Sequence, residues 1–509
     1  MRMSADRAAY TGWAPPSLST LRGEEGPIVT AAAALRQEGS ALPHLVPRPH
    51  QREAADAILR ARAAGRPGFL LGDLTGLGKT LSAWAALAAM PEGEVLVVCP
   101  KGAMPQWRRT IAGAGLGQKA VTLINYERTK SLMLPPAASN RRSTRARNNE
   151  LAKHGRLKRA WPLVVFDESH RLRNPYAQQT LVCRQLADAA TFTLYLSATA
   201  GQSPHELGYL GRLLGHAVGA PTESLADFRA LMQRLRIGRA KGRWVNWSWD
   251  GDARDCAVMS GLLYKGPDAI GLRRRPEDIA GWPQVQRVLA ATALGPSERR
   301  LYDATWREFR REWGLLGGGT RRPTGWAAEL RFRQKASLLR CAGTIDYVEL
   351  LLGMGQQVAI SVAFLETSAA LVEGLQGRGR RVAAINGEQT SRANEEVRLA
   401  FQTGELDAVV FTVTESISLH ANELPGGSRV RSLVVHDMRH SAIQMAQIEG
   451  RCHRDGEAAL IHYAYAEDTV EEAIADRVVG RMIAMDTMAG DETGMFDAIA
   501  EHLRQHAER

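Results

Sequence analysis

The chain has 509 residues, 45% of them hydrophobic and 23% charged, which is enough for about three ordinary domains with sizeable cores. It contains no run of about eighteen apolar residues, and its N-terminus lacks the apolar segment of a secretory signal, so we expect neither feature. Five scattered cysteines argue against a disulfide framework or a zinc site, and the net charge of +11 suits a polyanionic partner.

The first chemically informative element is a glycine-rich loop, DLTGLGKT at 73–80, between an apolar strand pattern and a helical pattern. In this context backbone N–H groups and the positive helix end face bound phosphates. Lys79 is expected to reach the β- and γ-phosphates, and the Thr80 hydroxyl to bind magnesium. Asp73 stands where the usual pattern has glycine; the alternative is a simple turn with a surface lysine. The predicted nucleotide contacts in the loop are Gly76, Gly78, Lys79 and Thr80.

A basic segment follows in the chain, opposed only by one glutamate. Its cations could lie across a DNA backbone and add affinity that depends on salt but not on base sequence. The alternative is a solvated insertion without a defined contact, and the pattern does not choose between them. The basic residues are Arg141, Arg142, Arg145, Arg147, Lys153, Arg156, Lys158 and Arg159.

Two carboxylates, Asp167 and Glu168, end the continuous apolar run 163–166, which is typical of a parallel strand covered on both faces. Ligands of open α/β sheets bind at such carboxyl ends. We predict that Asp167 holds magnesium and that Glu168 orients and deprotonates an attacking water. The alternative is an acidic strand-to-loop turn.

The segment 241–335 is rich in arginine and tryptophan, and helical patterns cover 299–313 and 327–339. Its alternating tryptophans with basic neighbours could stack on bases, but such an alternation is also ordinary strand pattern, and we favour packing. The residues concerned are Lys241, Arg243, Trp244, Trp247 and Trp249.

Near the end of the chain, Arg451 and Arg454 lie three residues apart, a spacing that puts two side chains one helical turn apart. Far downstream of a phosphate loop, two such arginines can reach from a second domain into a nucleotide bound by the first. Hydrolysis would then depend on how the two domains sit against each other.

Taken in order, these motifs resemble those of the superfamily-two helicases, and among them the Swi/Snf-type DNA translocases. The resemblance runs from about Pro47 to about Val478. One departure is at 414–419, where the family usually has a glycine-rich turn. The residues of several motifs are similar to those of the annealing-helicase branch of this family. The matching segments are 48–51, 96–101 with Trp107, 124–127, 167–174, 196–199, 272–278 with 282–283, 297–302, 357–361, 385–387, 408–411 and 447–456.

The resemblance implies an α/β fold with two tandem RecA-like parallel-sheet lobes and a mainly helical insertion between them. We predict an N-terminal extension at 1–40, an ATP-binding lobe one at 41–240 and the insertion and connector at 241–335. Lobe two then covers 341–485, and 486–509 forms a C-terminal tail with a short helix.

The resemblance also implies roles for individual residues, with ATP and Mg²⁺ as cofactors. Gln51 is a candidate reader of the adenine base, Gln447 also contacts the nucleotide, and Arg451 and Arg454 stabilise the transferring phosphate. His170, Ser197 and Thr199 couple hydrolysis to movement, although His170 could equally be a packing or capping residue. Trp107 is expected to pack beneath a DNA-facing loop. The predicted DNA backbone contacts are Lys101, Asn125 and Asn386.

We therefore expect a DNA-dependent ATPase that translocates on double-stranded or forked DNA, remodels or re-anneals it, or displaces bound protein. The alternatives are a strand-separating helicase and an ATP-switched DNA-binding scaffold; no separate nuclease constellation is visible. We expect a cytoplasmic, nucleoid-associated monomer. High alanine, arginine and glycine usage points to a GC-rich bacterium or its phage, in which case the protein acts in the host cytoplasm.

Overall fold

The computed structural model describes residues 45–113, 119–135, 150–201, 204–220, 222, 224–237, 239–241, 246–248, 253–315, 323–412, 417–421, 430–454 and 457–483. The predicted N-terminal extension, the arginines at 141–147, residues 414–416 of the segment that departs from the family pattern, and the C-terminal tail lie outside these ranges. Among the described residues, no helix has the length and apolar character needed to cross a membrane.

The first half of the chain alternates strands and helices around one sheet. Its strands are β1 (Gly68–Leu71), β2 (Glu94–Cys99), β3 (Ala120–Asn125), β4 (Met133–Leu134), β5 (Arg156–Leu157), β6 (Leu163–Asp167), β7 (Phe192–Leu196), β8 (Arg239–Lys241), β9 (Asn246–Ser248) and β10 (Gly271–Leu272). Its helices are α1 (Pro49–Ala63), α2 (Lys79–Ala89), α3 (Met104–Gly113), α4 (Gln178–Ala189), α5 (Gly211–Ala217), α6 (Leu225–Arg234) and α7 (Ala253–Ser260).

Six of these strands form a parallel sheet in the order β10-β1-β7-β6-β2-β3. Successive residues of a strand point to opposite faces, and both faces here are covered. In β6, Val164 and Phe166 join one apolar cluster, whereas Leu163 and Val165 join the other. This double burial explains why the strand reads as an uninterrupted apolar run.

The second half builds a second parallel sheet. Its strands are β11 (Gln286–Thr292), β12 (Gln357–Ser361), β13 (Val382–Ile385), β14 (Ala408–Phe411), β15 (Arg431–Val435) and β16 (Ala459–Ala466), in the order β11-β16-β15-β12-β14-β13. Its helices are α8 (Pro296–Leu315), α9 (Pro323–Leu339), α10 (Cys341–Gly353), α11 (Leu365–Gly377), α12 (Ser391–Gln402), α13 (Ala442–Cys452) and α14 (Val470–Ile483). The two-lobed α/β fold predicted from the sequence is confirmed.

The segment predicted as an insertion between the lobes is divided between them. Strand β10 pairs with β1 of the first sheet, and β11 pairs with β16 at the edge of the second. The two predicted helices are present as α8 and α9, and their aromatic side chains pack into the core of lobe two. Phe309 and Phe332 stack there with ring centroids 5.3 Å apart. In the tryptophan-rich stretch, β8 and β9 pair in antiparallel register, with Ala240 opposite Trp247. Arg243, Trp244 and Trp249 lie outside the described residues, and the packing of the tryptophans stays a prediction.

Parallel register brings three strand ends of lobe one to the same edge of the sheet. Leu196, the last residue of β7, lies between Leu71 at the end of β1 and Asp167 at the end of β6. Residues that follow these strands, the glycine-rich loop, Glu168 and Ser197, therefore converge. The Ser197 N–H donates to the Leu71 carbonyl over 3.1 Å, which ties two of these loops directly.

Candidate nucleotide site between two lobes

The glycine-rich loop has the backbone conformation that a phosphate cradle needs. Gly76 and Gly78 have φ values of 96° and 77°, a left-handed region in which a side chain would be strained. Gly78 is the N-cap of α2, so the loop ends at the positive end of that helix with unpaired backbone N–H groups. This geometry fits the triphosphate of ATP.

Lys79, the first residue of α2, is half-buried, and its Nζ donates to the Asp73 carbonyl over 2.7 Å. Burial lowers its pKa, while the charges of Glu168, Asp73 and Asp167 oppose that shift. The ammonium thus lies close to both carboxylates that follow β6. A cation at this place is suited to bind the outer phosphates of a nucleotide.

Asp167 is almost fully buried and held from two sides. The indole N–H of Trp107 donates to its Oδ2 over 2.8 Å, and the Glu168 backbone N–H donates to its Oδ1 over 3.0 Å. Burial, followed by the charge of Glu168, raises the pKa of Asp167 to about 7. A bound cation would favour the ionised form, so Asp167 and the Thr80 hydroxyl fit a magnesium ion.

The Trp107 hydrogen bond to Asp167 is a contact that sequence patterns did not reveal. We expect a Trp107→Phe variant, which keeps the ring but removes the N–H, to need about 10-fold more magnesium for half-maximal hydrolysis, because partners that orient metal ligands typically contribute this much. A magnesium titration of initial rates measures this directly. Trp161→Phe, at another buried tryptophan, is the matched control. Equal magnesium requirements in the two variants would contradict the prediction.

Glu168 has a left-handed φ of 51°, which turns the chain sharply away from β6. His170 Nδ1 lies 3.4 Å from Glu168 Oε2 and 3.0 Å from Ser197 Oγ. Ser197 Oγ in turn donates to the Thr199 carbonyl over 2.6 Å and accepts the Thr199 N–H over 3.2 Å. The three predicted coupling residues thus form one connected chain that starts at Glu168.

Gln51 lies on α1 and contacts the phosphate loop. Its Nε2 donates to the Leu77 carbonyl over 3.2 Å, and the neighbouring His50 Nε2 donates to the same oxygen over 3.1 Å. The Gln51 Oε1 accepts the Arg48 backbone N–H over 2.9 Å. In this structure the Gln51 amide supports the loop, while the predicted adenine contact remains a prediction.

Lobe two meets the phosphate loop through the region around α13. A Cβ added to Gly450 would lie 2.5 Å from Thr75 Cγ2, and one added to Gly76 would lie 3.2 Å from the His453 carbonyl oxygen and 3.5 Å from Arg454 Cα. Arg454 is also close enough for its charge to lower the pKa of Lys79. Arg454 of lobe two therefore lies against the phosphate loop, near Lys79.

The two candidate arginines are not equivalent. The sequence spacing assumes one helix, but α13 ends at Cys452, and Arg454 lies beyond it in a short bridge to Glu457. Arg451 remains on the helix, where its Nε donates to the Gln447 carbonyl over 2.9 Å and its Nη1 to the Ile417 carbonyl over 2.8 Å. Both Arg451 and Gln447 are buried.

The predicted DNA contacts lie at or just after the carboxyl ends of strands, and two of them accept hydrogen bonds from nearby backbone N–H groups. Asn125 Oδ1 accepts the Arg128 N–H over 3.0 Å, and Asn386 Oδ1 accepts the Glu388 N–H over 3.0 Å. Lys101 is exposed, two residues after the end of β2. Arg141, Arg142, Arg145 and Arg147 lie outside the described residues.

Comparison with known proteins finds one family model and several related sequences. The family model described as "Type III restriction enzyme, res subunit" matches residues 44–202. The chain is 27% identical over 150 residues to Protein CHROMATIN REMODELING 24 of Arabidopsis thaliana, covering 26% of this chain and 14% of that protein. It is 28% identical over 491 residues to a SWI/SNF-related matrix-associated actin-dependent regulator of chromatin subfamily A-like protein 1 homolog of Caenorhabditis elegans, covering 91% of this chain and 65% of that protein.

The chain therefore spans less than two thirds of the length of each of these curated relatives. Among solved structures, it is similar to the Sulfolobus solfataricus SWI2/SNF2 ATPase core in complex with dsDNA, with 17% identity and a TM-score of 0.36, covering 91% of this chain and 97% of that one. The corresponding core domain alone shows 16% identity and the same TM-score of 0.36, covering 91% and 95%.

A phosphate loop and an acidic pair on one parallel sheet, faced by an arginine from a second sheet, define a two-lobed ATP-hydrolysing enzyme. The motifs in order resemble those of the Swi/Snf-type ATPases, and the chain is similar to a SWI/SNF-related protein over most of its length.

Proposed function

We propose that the protein is a DNA-dependent ATPase that translocates on double-stranded DNA and thereby remodels or re-anneals it. The observation that carries this proposal is the contact of His453 and Arg454 in lobe two with Gly76 in the phosphate loop of lobe one. A nucleotide bound by the loop would touch both lobes, so its hydrolysis and release would change how the lobes sit together.

The proposed chemistry assigns each polar group one task. Lys79 and the loop N–H groups bind the phosphates, and Glu168 takes a proton from the water whose oxygen attacks the γ-phosphorus. The bond from the γ-phosphorus to the bridging oxygen breaks, giving ADP and phosphate, and Arg454 stabilises the developing charge. Thr80 and Asp167 would hold magnesium, which supplies further charge neutralisation when bound.

One contact away from the nucleotide site would change if the lobes moved. Arg109 on α3 and Glu395 on α12 form an ion pair of 2.6 Å between the lobes, and both side chains are partly exposed. Glu395 also pairs with Arg398 over 2.9 Å. Opening of the lobes would break the Arg109 pair, whereas the Arg398 pair is within lobe two and would persist.

DNA is the proposed partner because the net charge is +11 and because the relatives named above are chromatin remodelling proteins. Lys101, Asn125, Asn386 and the basic residues at 141–147 remain the proposed backbone contacts. Backbone contact without base reading suits an enzyme that moves along any sequence.

The deciding experiment measures ATP hydrolysis with no nucleic acid, single-stranded DNA, duplex DNA, forked DNA and RNA at matched salt. We expect duplex or forked DNA to stimulate the rate more than about 10-fold, a barrier change of about 1.4 kcal/mol, with less stimulation as salt rises. Lys79→Ala is the control that reports contaminating hydrolase.

The other outcomes discriminate among the alternatives. Stimulation by single strands only would favour a strand-separating helicase, and stimulation by RNA would overturn the substrate. ATP binding without stimulation by any nucleic acid would favour an ATP-switched scaffold.

A further inference from the structure

The chain segment from β10 to Pro283, here called the connector, leaves lobe one and runs alongside the phosphate loop. Strand β10 extends the first sheet next to β1, and the same ladder continues past the end of the strand. The Gly72 N–H donates to the Leu272 carbonyl over 2.7 Å, and the Leu74 N–H donates to the Arg274 carbonyl over 3.0 Å. The first residues of the loop are therefore held by the connector as well as by their own sheet.

Arg274 adds a forked ion pair to this backbone contact. Its Nη2 lies 2.5 Å from Asp73 Oδ2, its Nε donates to Asp73 Oδ1 over 3.2 Å, and its backbone N–H donates to the same Oδ1 over 3.0 Å. Asp73 is fully buried, and the Arg274 side chain is only 11% exposed. A bidentate pair of this kind fixes direction as well as distance.

Both members of the Asp73–Arg274 pair also contact other residues of the nucleotide site. The Asp73 carbonyl accepts the Lys79 ammonium over 2.7 Å. Arg274 Nη1 donates to the His50 carbonyl over 2.7 Å, next to Gln51 on α1. Arg274 thus contacts the beginning of the phosphate loop and the helix that supports the loop at Leu77.

The same connector also contacts lobe two. The Trp282 ring packs edge-on against His50, with ring centroids 5.3 Å apart. His453 Nε2 donates to the Pro283 carbonyl over 3.0 Å, and His453 directly precedes Arg454. A continuous set of contacts therefore runs from the phosphate loop through the connector to the arginine of lobe two and back to Gly76.

We propose that Arg274 is a positioning residue that holds Asp73, and with it the phosphate loop, in the nucleotide-binding conformation. This inference rests on the proposed function, since it concerns the same nucleotide site. It also explains the departure from glycine at position 73: the carboxylate is needed as the anchor for Arg274. Because Trp282 contacts His50 and Pro283 contacts His453, a movement of lobe two would shift the connector and with it the phosphate loop.

The test compares Arg274→Lys and Asp73→Asn with Arg275→Lys, the same chemical change one residue along, where the backbone N–H bonds Asp278 Oδ2 over 2.7 Å. Equilibrium binding of Mg²⁺–ADP is the main readout, at a temperature below the unfolding midpoint of each variant. We expect Arg274→Lys and Asp73→Asn each to weaken binding about 10- to 100-fold, the usual effect of a small misplacement of binding groups. The KM for ATP should rise in step, with a smaller change in kcat.

The Asp73→Asn/Arg274→Lys double variant separates positioning from general stability. If the two residues act as one unit, the double variant binds Mg²⁺–ADP no more weakly than the weaker single variant. Binding within twofold of wild type in both single variants, or a lowered unfolding midpoint with unchanged affinity, would overturn the inference. Because binding is read without turnover, a wild-type protein that binds Mg²⁺–ADP but fails to hydrolyse ATP would refute only the proposed function.

Discussion

An Arg454→Ala variant is expected to hydrolyse ATP about 10³- to 10⁵-fold more slowly than the wild type, the range found for arginines that reach a transferring phosphate. The backbone of Arg454 lies against Gly76, and its charge acts on Lys79. Its removal leaves the phosphate loop of lobe one intact, so Mg²⁺–ATP binding should change far less than kcat. Single-turnover hydrolysis together with equilibrium binding separates the two effects.

Arg451→Ala is the matched comparison, because this guanidinium bonds the carbonyls of Gln447 and Ile417 inside lobe two. We expect the variant to unfold at a lower temperature, since two buried carbonyls lose their donors. Arg454→Ala should leave the unfolding midpoint almost unchanged. A loss of kcat in Arg451→Ala without any loss of stability would show that both arginines act on the phosphate, as the sequence predicts.

Replacing Glu168 by glutamine should lower kcat about 10²- to 10⁴-fold while preserving ATP binding, because the amide keeps the shape of the side chain but cannot accept the proton of water. The geometry supports this role: Glu168 lies beside Asp167 and, through His170, is connected to Ser197. The variant should therefore bind ATP and keep the two lobes in contact around it, because the nucleotide is not hydrolysed.

The measurement is hydrolysis under single-turnover conditions with a parallel titration of Mg²⁺–ATP. Glu94→Gln makes the same change on β2, where Glu94 pairs with Arg159 over 3.3 Å at the surface, and should behave as wild type. A Glu168→Gln rate within 10-fold of wild type would mean that another group accepts the proton.

Local patterns predicted most elements because their causes are local. The apolar run at 163–166 is β6 with every residue buried, and the family-matching segments at 357–361 and 408–411 are β12 and β14. The helical patterns at 299–313 and 327–339 fall within α8 and α9. In each case the uninterrupted run or the helical spacing of apolar residues records which faces are buried.

Pairings across long stretches of chain could not be predicted in this way. Strand β10 has only two residues, and its place beside β1 depends on a partner about 200 residues earlier. From its sequence, Asp73 is only a departure from glycine, whereas the fold makes it the partner of Arg274. Trp107 could have packed anywhere beneath the loop, but the structure directs its N–H to Asp167.

The sequence alone predicts which residues form the site, because their motifs lie next to strand ends: Lys79 and Thr80 follow β1, and Asp167 and Glu168 lie at the end of β6. Which groups support them is a property of the folded chain. Arg451 and Arg454 look alike in sequence. Because α13 ends at Cys452, Arg451 bonds carbonyls inside lobe two, whereas Arg454 lies beyond the helix against the phosphate loop. A helix end and an interlobe contact depend on packing over long sequence separations, which no local pattern encodes.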